Sequence, residues 1–456
     1  MAEHCGYIVK VNTLRPHPNA DRLQIATFFG NDTCVGIDVK LGEVGVYFPS
    51  DLQLSLEFAE ANNLLRKKDE NGNNIGGFLD ADKRNVVAIK LRGEKSDGIF
   101  LSLRSLESFG DISTLREGDR IDNFNGHEIC CKYVPRTNVR HGHYSDGNKT
   151  RKKRVAVAPL FAEHADTEQL AYNIGAFKAN DEIEITLKMH GTSQRTGYFP
   201  VFKGYKRTFF DWLFRREGKP IYDWGYVSGT RRTVLENFDG GYYGSNEFRE
   251  AHSKFFEGKL NKGEEVFYEV VGFTHTGAPI MASGDNKKLN DKDFVKQYGQ
   301  TTVFSYGCSP TGKEGVGIAE RNVPQSEIYV YRMTMTNEDG FTVEYTPDFM
   351  RYRCEQMGVK TVPVFANFIL HDCDLEMDTR TPGEIVKDAA EKYYDGTDPI
   401  GKTHIREGVV VRIVNRPKFC AYKHKNWFFK ALEGIVKVEA EVPDIEEAES
   451  VENDTE

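Results

Sequence analysis

Lys188 closes the strand-like run EITLK and is followed at once by Met189, His190, Gly191, Thr192 and Ser193, so an amine stands where a strand breaks into a polar, glycine-containing turn. The chain has no GxxxxGK[ST] loop, so any nucleotide chemistry it performs is not of the P-loop kind. Glu269 lies inside the apolar run FYEVVG, and Glu407 stands in REGVVVRI. A carboxylate within an apolar strand is costly unless it is paired or holds a metal. Lys423 and Lys425, in AYKHKNWFF, are two residues apart, and on a strand both ammonium groups face one side. They repel each other unless solvent or a shared anion such as a phosphate lies between them. Each feature alone also fits a solvated strand end or a structural ion pair. Together they are the groups needed to handle phosphate.

The elements that must position these residues belong to a long chain. At 456 residues it exceeds the size at which one core keeps growing, so two or three domains are expected. Hydrophobic residues make up 39% and charged residues 28%, with a formal net charge of −9. This is the composition of a folded enzyme, and it excludes a basic coat that binds nucleic acid everywhere while leaving room for a local basic groove. No apolar run reaches the roughly 18 residues of a membrane span, and MAEHCGYIVK lacks a signal-peptide core. The eight cysteines show no repeated metal-ligand spacing, so reduced thiols in a soluble, intracellular protein are expected.

Residues 1–132 alternate short apolar strands (GYIVKV, RLQIATFF, TCVGIDV, VGVYFPS) with Gly, Asn, Asp and Pro, the pattern of a small β-rich barrel or sandwich. Residues 133–155 form a basic linker that includes Arg136, Arg140, Arg151, Lys152, Lys153 and Arg154; these either contact phosphates or keep the linker solvated. Residues 156–437 mix strands with a helical TPGEIVKDAAEKYY, in which Thr381 and Glu384 form a capping box. The absence of a regular βαβ beat predicts an α+β fold rather than a doubly wound sheet. Trp212 and Trp224 flank LFRREGKP, which reads as an exposed turn with aromatic anchors or as a loop facing a substrate. Residues 438–456 form an acidic tail with the composition of a disordered segment.

Taken in order, KMHGTS, FYEVVG, IYVYRMT, REGVVVRI and KHK resemble the motifs of the covalent lysyl-nucleotidyltransferases, which comprise ATP-dependent DNA and RNA ligases and mRNA capping enzymes. The form with His190 rather than Asp after the nucleophile is most similar to RNA ligases of the phage T4 RNA ligase 2 type. LFAEHADTEQL resembles the segment leading into the adenylate site of such ligases. Ser193 stands where these ligases often have Asn, and the stretch between Glu269 and IYVYRMT is longer than in compact members. RPHPNADRLQIA resembles the opening of tRNA-binding OB-type domains, and AIKLRGEKSDGIFLSL the sequence before the catalytic domain in OB-first RNA ligases. The fold this implies is a mixed α/β nucleotidyltransferase domain, ATP-grasp-like, of antiparallel sheets and helices, preceded by a small OB-type domain.

The resemblance implies an ATP-dependent RNA ligase acting on nicked or broken RNA as a monomer, with ATP and Mg²⁺ or Mn²⁺. Lys188 would form a lysyl–AMP, Lys423 and Lys425 would hold the α-phosphate, and Glu407 would orient the metal. Glu269 would contact the ribose or the metal. His190, Gly191 and Thr192 would line the nucleotide site, with Tyr331 against adenine, or else Tyr329. One of Arg231 and Arg232 would contact the ribose or the 5′-phosphate, and Arg151, Lys152 and Lys153 would contact RNA. Two other readings are a DNA ligase or capping-type nucleotidyltransferase and a non-catalytic RNA-binding protein. The His190 motif and the lack of a following OB region speak against the first. Lys188, Glu407, Lys423 and Lys425 occurring together speak against the second.

Overall fold

The computed structural model describes residues 4–50, 52–68, 74–133, 156–214, 218–231, 233–235, 238, 246–313, 323–372 and 379–439. Arg151, Lys152, Lys153, Arg232 and the acidic tail from residue 440 lie outside the described residues. The chain forms two compact units: Met1–Arg136 with Gly284–Thr301 and Lys425–Pro443, and Thr137–Ser283 with Thr302–His424 and Asp444–Glu456. The stretch read from sequence as continuous over 156–437 therefore leaves and rejoins the first unit. Within that unit, Lys90 pairs with Asp291 at 3.0 Å, Lys430 pairs with Asp97 at 2.6 Å, and the rings of Phe294 and Phe428 stack 4.9 Å apart.

The first unit is β-rich. Its main sheet is antiparallel, in the order Ile99–Ser102, Val44–Phe48, Gly6–Lys10 and Arg120–Ile121. Ile8, Val46, Phe48, Leu54 and Phe58 meet in its core. The helix Leu56–Ala61 begins at Ser55, whose hydroxyl accepts the Phe58 N–H, satisfying one of the amide donors a helix start leaves open.

The second unit is built on two sheets. The smaller has the order Glu168–Gln169, Ala421–Lys425, Gly408–Ile413, Glu182–Lys188 and Val364–Ile369. The larger runs Val234–Leu235, Lys219–Gly229, Thr192–Lys206, Glu264–Gly272, Ser326–Thr336 and Thr342–Glu344, with Lys360–Thr361 pairing on Ser326–Thr336. Its long strands pair antiparallel. The period of two divides each strand between core and site. Ile183 and Ile185 pack against Val409, Val411 and Ile413, each burial stabilising by about 1.5–3 kcal/mol. Glu184, Thr186 and Lys188, opposite Arg412, Val410 and Gly408, line the other side. The helix Pro382–Glu391 starts with the expected capping box of Thr381 and Glu384. Among the described residues no helix is long and apolar enough to cross a membrane.

Candidate active site

The KMHGTS motif is the crossing between the two sheets. Lys188 is the last residue of Glu182–Lys188 in one, and Thr192 the first of Thr192–Lys206 in the other. Gly191 sits where no side chain fits: a Cβ there would lie 2.4 Å from the Val270 carbonyl oxygen and 2.9 Å from Glu269 Cγ. Its N–H donates to Glu269 Oε1 at 3.2 Å. Gly191→Ala must therefore shift the turn that carries Lys188. We expect the Ala variant to have a lower Tm, by the roughly 1–3 kcal/mol that forced overpacking costs, and a wild-type Tm would show that the turn tolerates displacement.

Two residues distant in sequence hold the turn. Arg249 of the helix Glu247–Phe255 is buried and donates to the Ser193 carbonyl at 3.0 Å and to the Thr192 hydroxyl. The His190 N–H donates to the hydroxyl of Tyr306 at 2.7 Å. Tyr306 is buried between the turn and His404, with ring centroids 4.6 Å apart. Burial raises its pKa well above the ordinary value, so the phenol stays protonated. Tyr306→Phe removes only that oxygen, and an amide left without its acceptor costs about 1–3 kcal/mol. The expected result is a lower Tm. An unchanged Tm would mean that the amide finds another acceptor.

Lys188 Nζ lies 2.8 Å from Glu407 Oε1. The carboxylate is almost wholly buried at 2% exposure while the lysine side chain keeps 23%, so the acid is fixed and the amine can meet a ligand. His190 Nδ1 is 3.7 Å from the other Glu407 oxygen. Glu269 lies in register between Ser193 and Tyr329 on neighbouring strands. Tyr331 has no register partner, because the ladder slips between Phe267 and Tyr268. The core side consequently passes from Ile328 and Val330 to Met333. Tyr331 meets Ser193 Oγ at 3.0 Å and lines the pocket with Lys188 and Glu269, whereas Tyr329 is buried at 5% exposure.

The same pocket holds residues the sequence reading did not single out, namely His164, Arg351, Arg412 and Phe419. The His164 ring meets those of Phe267 and Tyr331 edge-on at 5.7 and 5.6 Å. Burial, together with the charges of Arg231 and Arg332, holds its pKa well below the usual value, so the ring is neutral. It is set in place through Arg195, which packs its guanidinium 3.8 Å from the Phe161 ring, donates to the Ala162 carbonyl and pairs with Glu265 at 3.2 Å. Phe419 has the guanidinium groups of Arg332 and Arg412 at 4.6 and 5.2 Å from its ring. The signal for His164 was present in LFAEHADTEQL. Nothing local marked Arg249, Tyr306 or Phe419.

Of the two candidate arginines, Arg231 lines the pocket and pairs with Asp166 at 3.2 Å, while Arg232 lies outside the described residues. Lys423 is partly buried on Ala421–Lys425, opposite Gln169. Lys425 ends that strand, with its ammonium 2.9 Å from Glu433. Among the described residues no group of three or more His, Cys, Asp or Glu side chains is gathered for a metal ion.

No family model matches the sequence, and no curated protein matches it either. Solved structures do. An RNA ligase from Naegleria gruberi, in variants with AMP and Mn and with ATP and Mn, matches at TM-score 0.51 and 14% identity, covering 93% of this chain and 98% of the other. The same ligase with PPi matches at TM-score 0.52 and 14% identity over 96% of this chain and 99% of the other. At this identity the likeness is one of architecture, and the chain has the fold of the Naegleria gruberi RNA ligase, a mixed α/β arrangement of antiparallel sheets.

Proposed function

We propose that the protein is an ATP-dependent RNA ligase that joins a 3′-OH to a 5′-phosphate through lysyl–AMP and an adenylylated 5′ end. The observation that carries this is the partly exposed Lys188 amine held 2.8 Å from the buried Glu407 carboxylate, lining a pocket with the neutral His164 and Tyr331. The solved structures sharing the fold, an RNA ligase with ATP, AMP and PPi, support it, as does the sequence resemblance to OB-first and T4 RNA ligase 2-type enzymes.

In this reading the Lys188 ammonium gives up a proton, with Glu407 Oε1 the acceptor within reach. The free amine attacks the α-phosphorus of ATP, a P–N bond forms, and the bond to the pyrophosphate oxygen breaks. An RNA 5′-phosphate oxygen next displaces the lysine and takes the AMP. The 3′-OH then attacks that phosphate and AMP leaves, sealing the strand. Lys423 steadies the α-phosphate, and Lys425 joins it by exchanging Glu433 for phosphate. Glu407 and Glu269 fit Mg²⁺ or Mn²⁺, because such ions bind through one or two carboxylates plus nucleotide phosphates rather than through a protein-only cage. When bound, the ion neutralises charge on the phosphate oxygens. Residues 1–132, read as an OB-type domain, and the linker with Arg151, Lys152 and Lys153 bind RNA, and Arg231 contacts the ribose or 5′-phosphate. The protein acts as a monomer.

The test is single-turnover sealing with ATP of four nicked duplexes that differ only in the sugar on each side of the nick. A ribose at the 3′-OH end should give at least about tenfold faster sealing, since one lost hydrogen bond in a desolvated site costs about 1–3 kcal/mol. Equal rates on all four would leave a general polynucleotide ligase.

A further inference from the structure

We infer that the far end of the hairpin Thr192–Lys206/Lys219–Gly229 is a docking surface for single-stranded RNA flanking the ends to be joined, an inference whose choice of RNA rests on the function proposed above. The strands stay paired out to Lys206 opposite Lys219, so the end is a built extension of the sheet, and a one-residue slip between Phe202 and Gly204 leaves Lys203 as the extra residue. The short helix Phe209–Leu213 lies between the two strands in sequence. Large apolar side chains gather here in the open: Phe209 is 69% exposed, Leu213 54% and Phe214 60%. A monomeric protein scatters such residues singly over its surface; several on one projection mark an interaction site.

Charge selects the partner. Among the described residues from 203 to 223 there are four cations, Lys203, Lys206, Arg207 and Lys219, all exposed, and two carboxylates, Asp211 and the exposed Asp223. Asp211 is engaged locally, accepting from the Thr208 N–H and hydroxyl. On a chain of net charge −9, a cationic projection attracts a polyanion. Aromatic rings interleaved with cations are the chemistry of single-strand binding: bases stack on the rings and phosphates meet the cations. Paired bases keep their faces inside the helix and offer only the backbone, so the aromatic half of this surface is of use to unpaired RNA alone. The substrate class that follows is RNA with an unpaired stretch beside the break, such as an opened loop.

The test uses the full chain, a fluorescent 15-nucleotide single-stranded RNA and a blunt 15-base-pair RNA duplex. Binding is read by anisotropy at 50 and 200 mM salt. Phe209→Ala combined with Phe214→Ala should weaken the single strand about 5- to 30-fold and the duplex by less than twofold. Lys206→Glu combined with Arg207→Glu should weaken both and flatten the salt dependence by about two units of slope. Unchanged single-strand affinity in the aromatic variant, or an equal loss on both RNAs, overturns the inference. So does wild-type binding to phosphatidylserine vesicles that the aromatic substitutions abolish while RNA affinity stays the same, which would make a lipid surface the occupant. Lysyl–AMP formation from ATP is measured on every variant and should be unaltered, which also shows that they fold. Its absence from the wild type would remove the ligase reading and leave the RNA-binding result to stand or fall separately.

Discussion

Lys188→Ala is expected to leave no covalent adenylate on the protein after incubation with α-labelled ATP and Mg²⁺ or Mn²⁺, and intact-mass and peptide mass spectrometry of the wild type are expected to place the AMP on Lys188. Sealing that starts from ATP falls by about 10⁴-fold or more, the scale on which removal of a nucleophile is felt. Sealing of RNA that already carries AMP on its 5′ end should fall far less, because on the proposed mechanism the lysine forms its bond only in the first step. The motive is geometric: the lysine ends its strand with its amine partly exposed at a pocket and 2.8 Å from a buried acid. An adduct on another lysine, or equal losses with ATP and with pre-adenylylated RNA, would sink the assignment.

Glu407→Gln should be the next most damaging change. The amide keeps the shape of a side chain that is 2% exposed, so the fold is retained, but on the proposed mechanism both the acceptor for the lysine proton and one metal-binding charge are lost. General-base groups contribute about 10²–10⁴-fold, and we expect adenylylation at saturating ATP to slow by at least about 100-fold. The midpoint of the Mg²⁺ titration should move to higher concentration. Glu269→Gln offers the contrast: its Oε1 accepts the Gly191 N–H, a bond the glutamine oxygen can still accept, so the smaller loss belongs there. A Glu407→Gln enzyme with wild-type rate and wild-type metal dependence would remove Glu407 from the chemistry.

Much of the site was legible in the sequence, for a local reason. Strand periodicity alone separates Ile183 and Ile185, which enter the core, from Glu184, Thr186 and Lys188, which face the pocket. The capping box at Thr381 needs only residues three apart, and the structure has it. A carboxylate inside FYEVVG had to find partners, and Glu269 accepts the Gly191 N–H. Only the tertiary structure decided what surrounds them. Arg249 and Tyr306 reach the lysine turn from 57 and 116 residues away, and a buried arginine in a helix or a tyrosine after a strand carries no local mark of what it will bond. The register slip that brings Tyr331 onto Ser193 depends on how two strands pair, and a one-residue shift in pairing changes which side chains share a face. The two returns of the chain to the first unit follow from pairs such as Lys90–Asp291 and Lys430–Asp97. Hydrophobic and charge patterns state that a residue wants a partner; which partner it meets is set by packing between segments hundreds of residues apart, because burial energy is nearly indifferent to where along the chain the covering surface comes from.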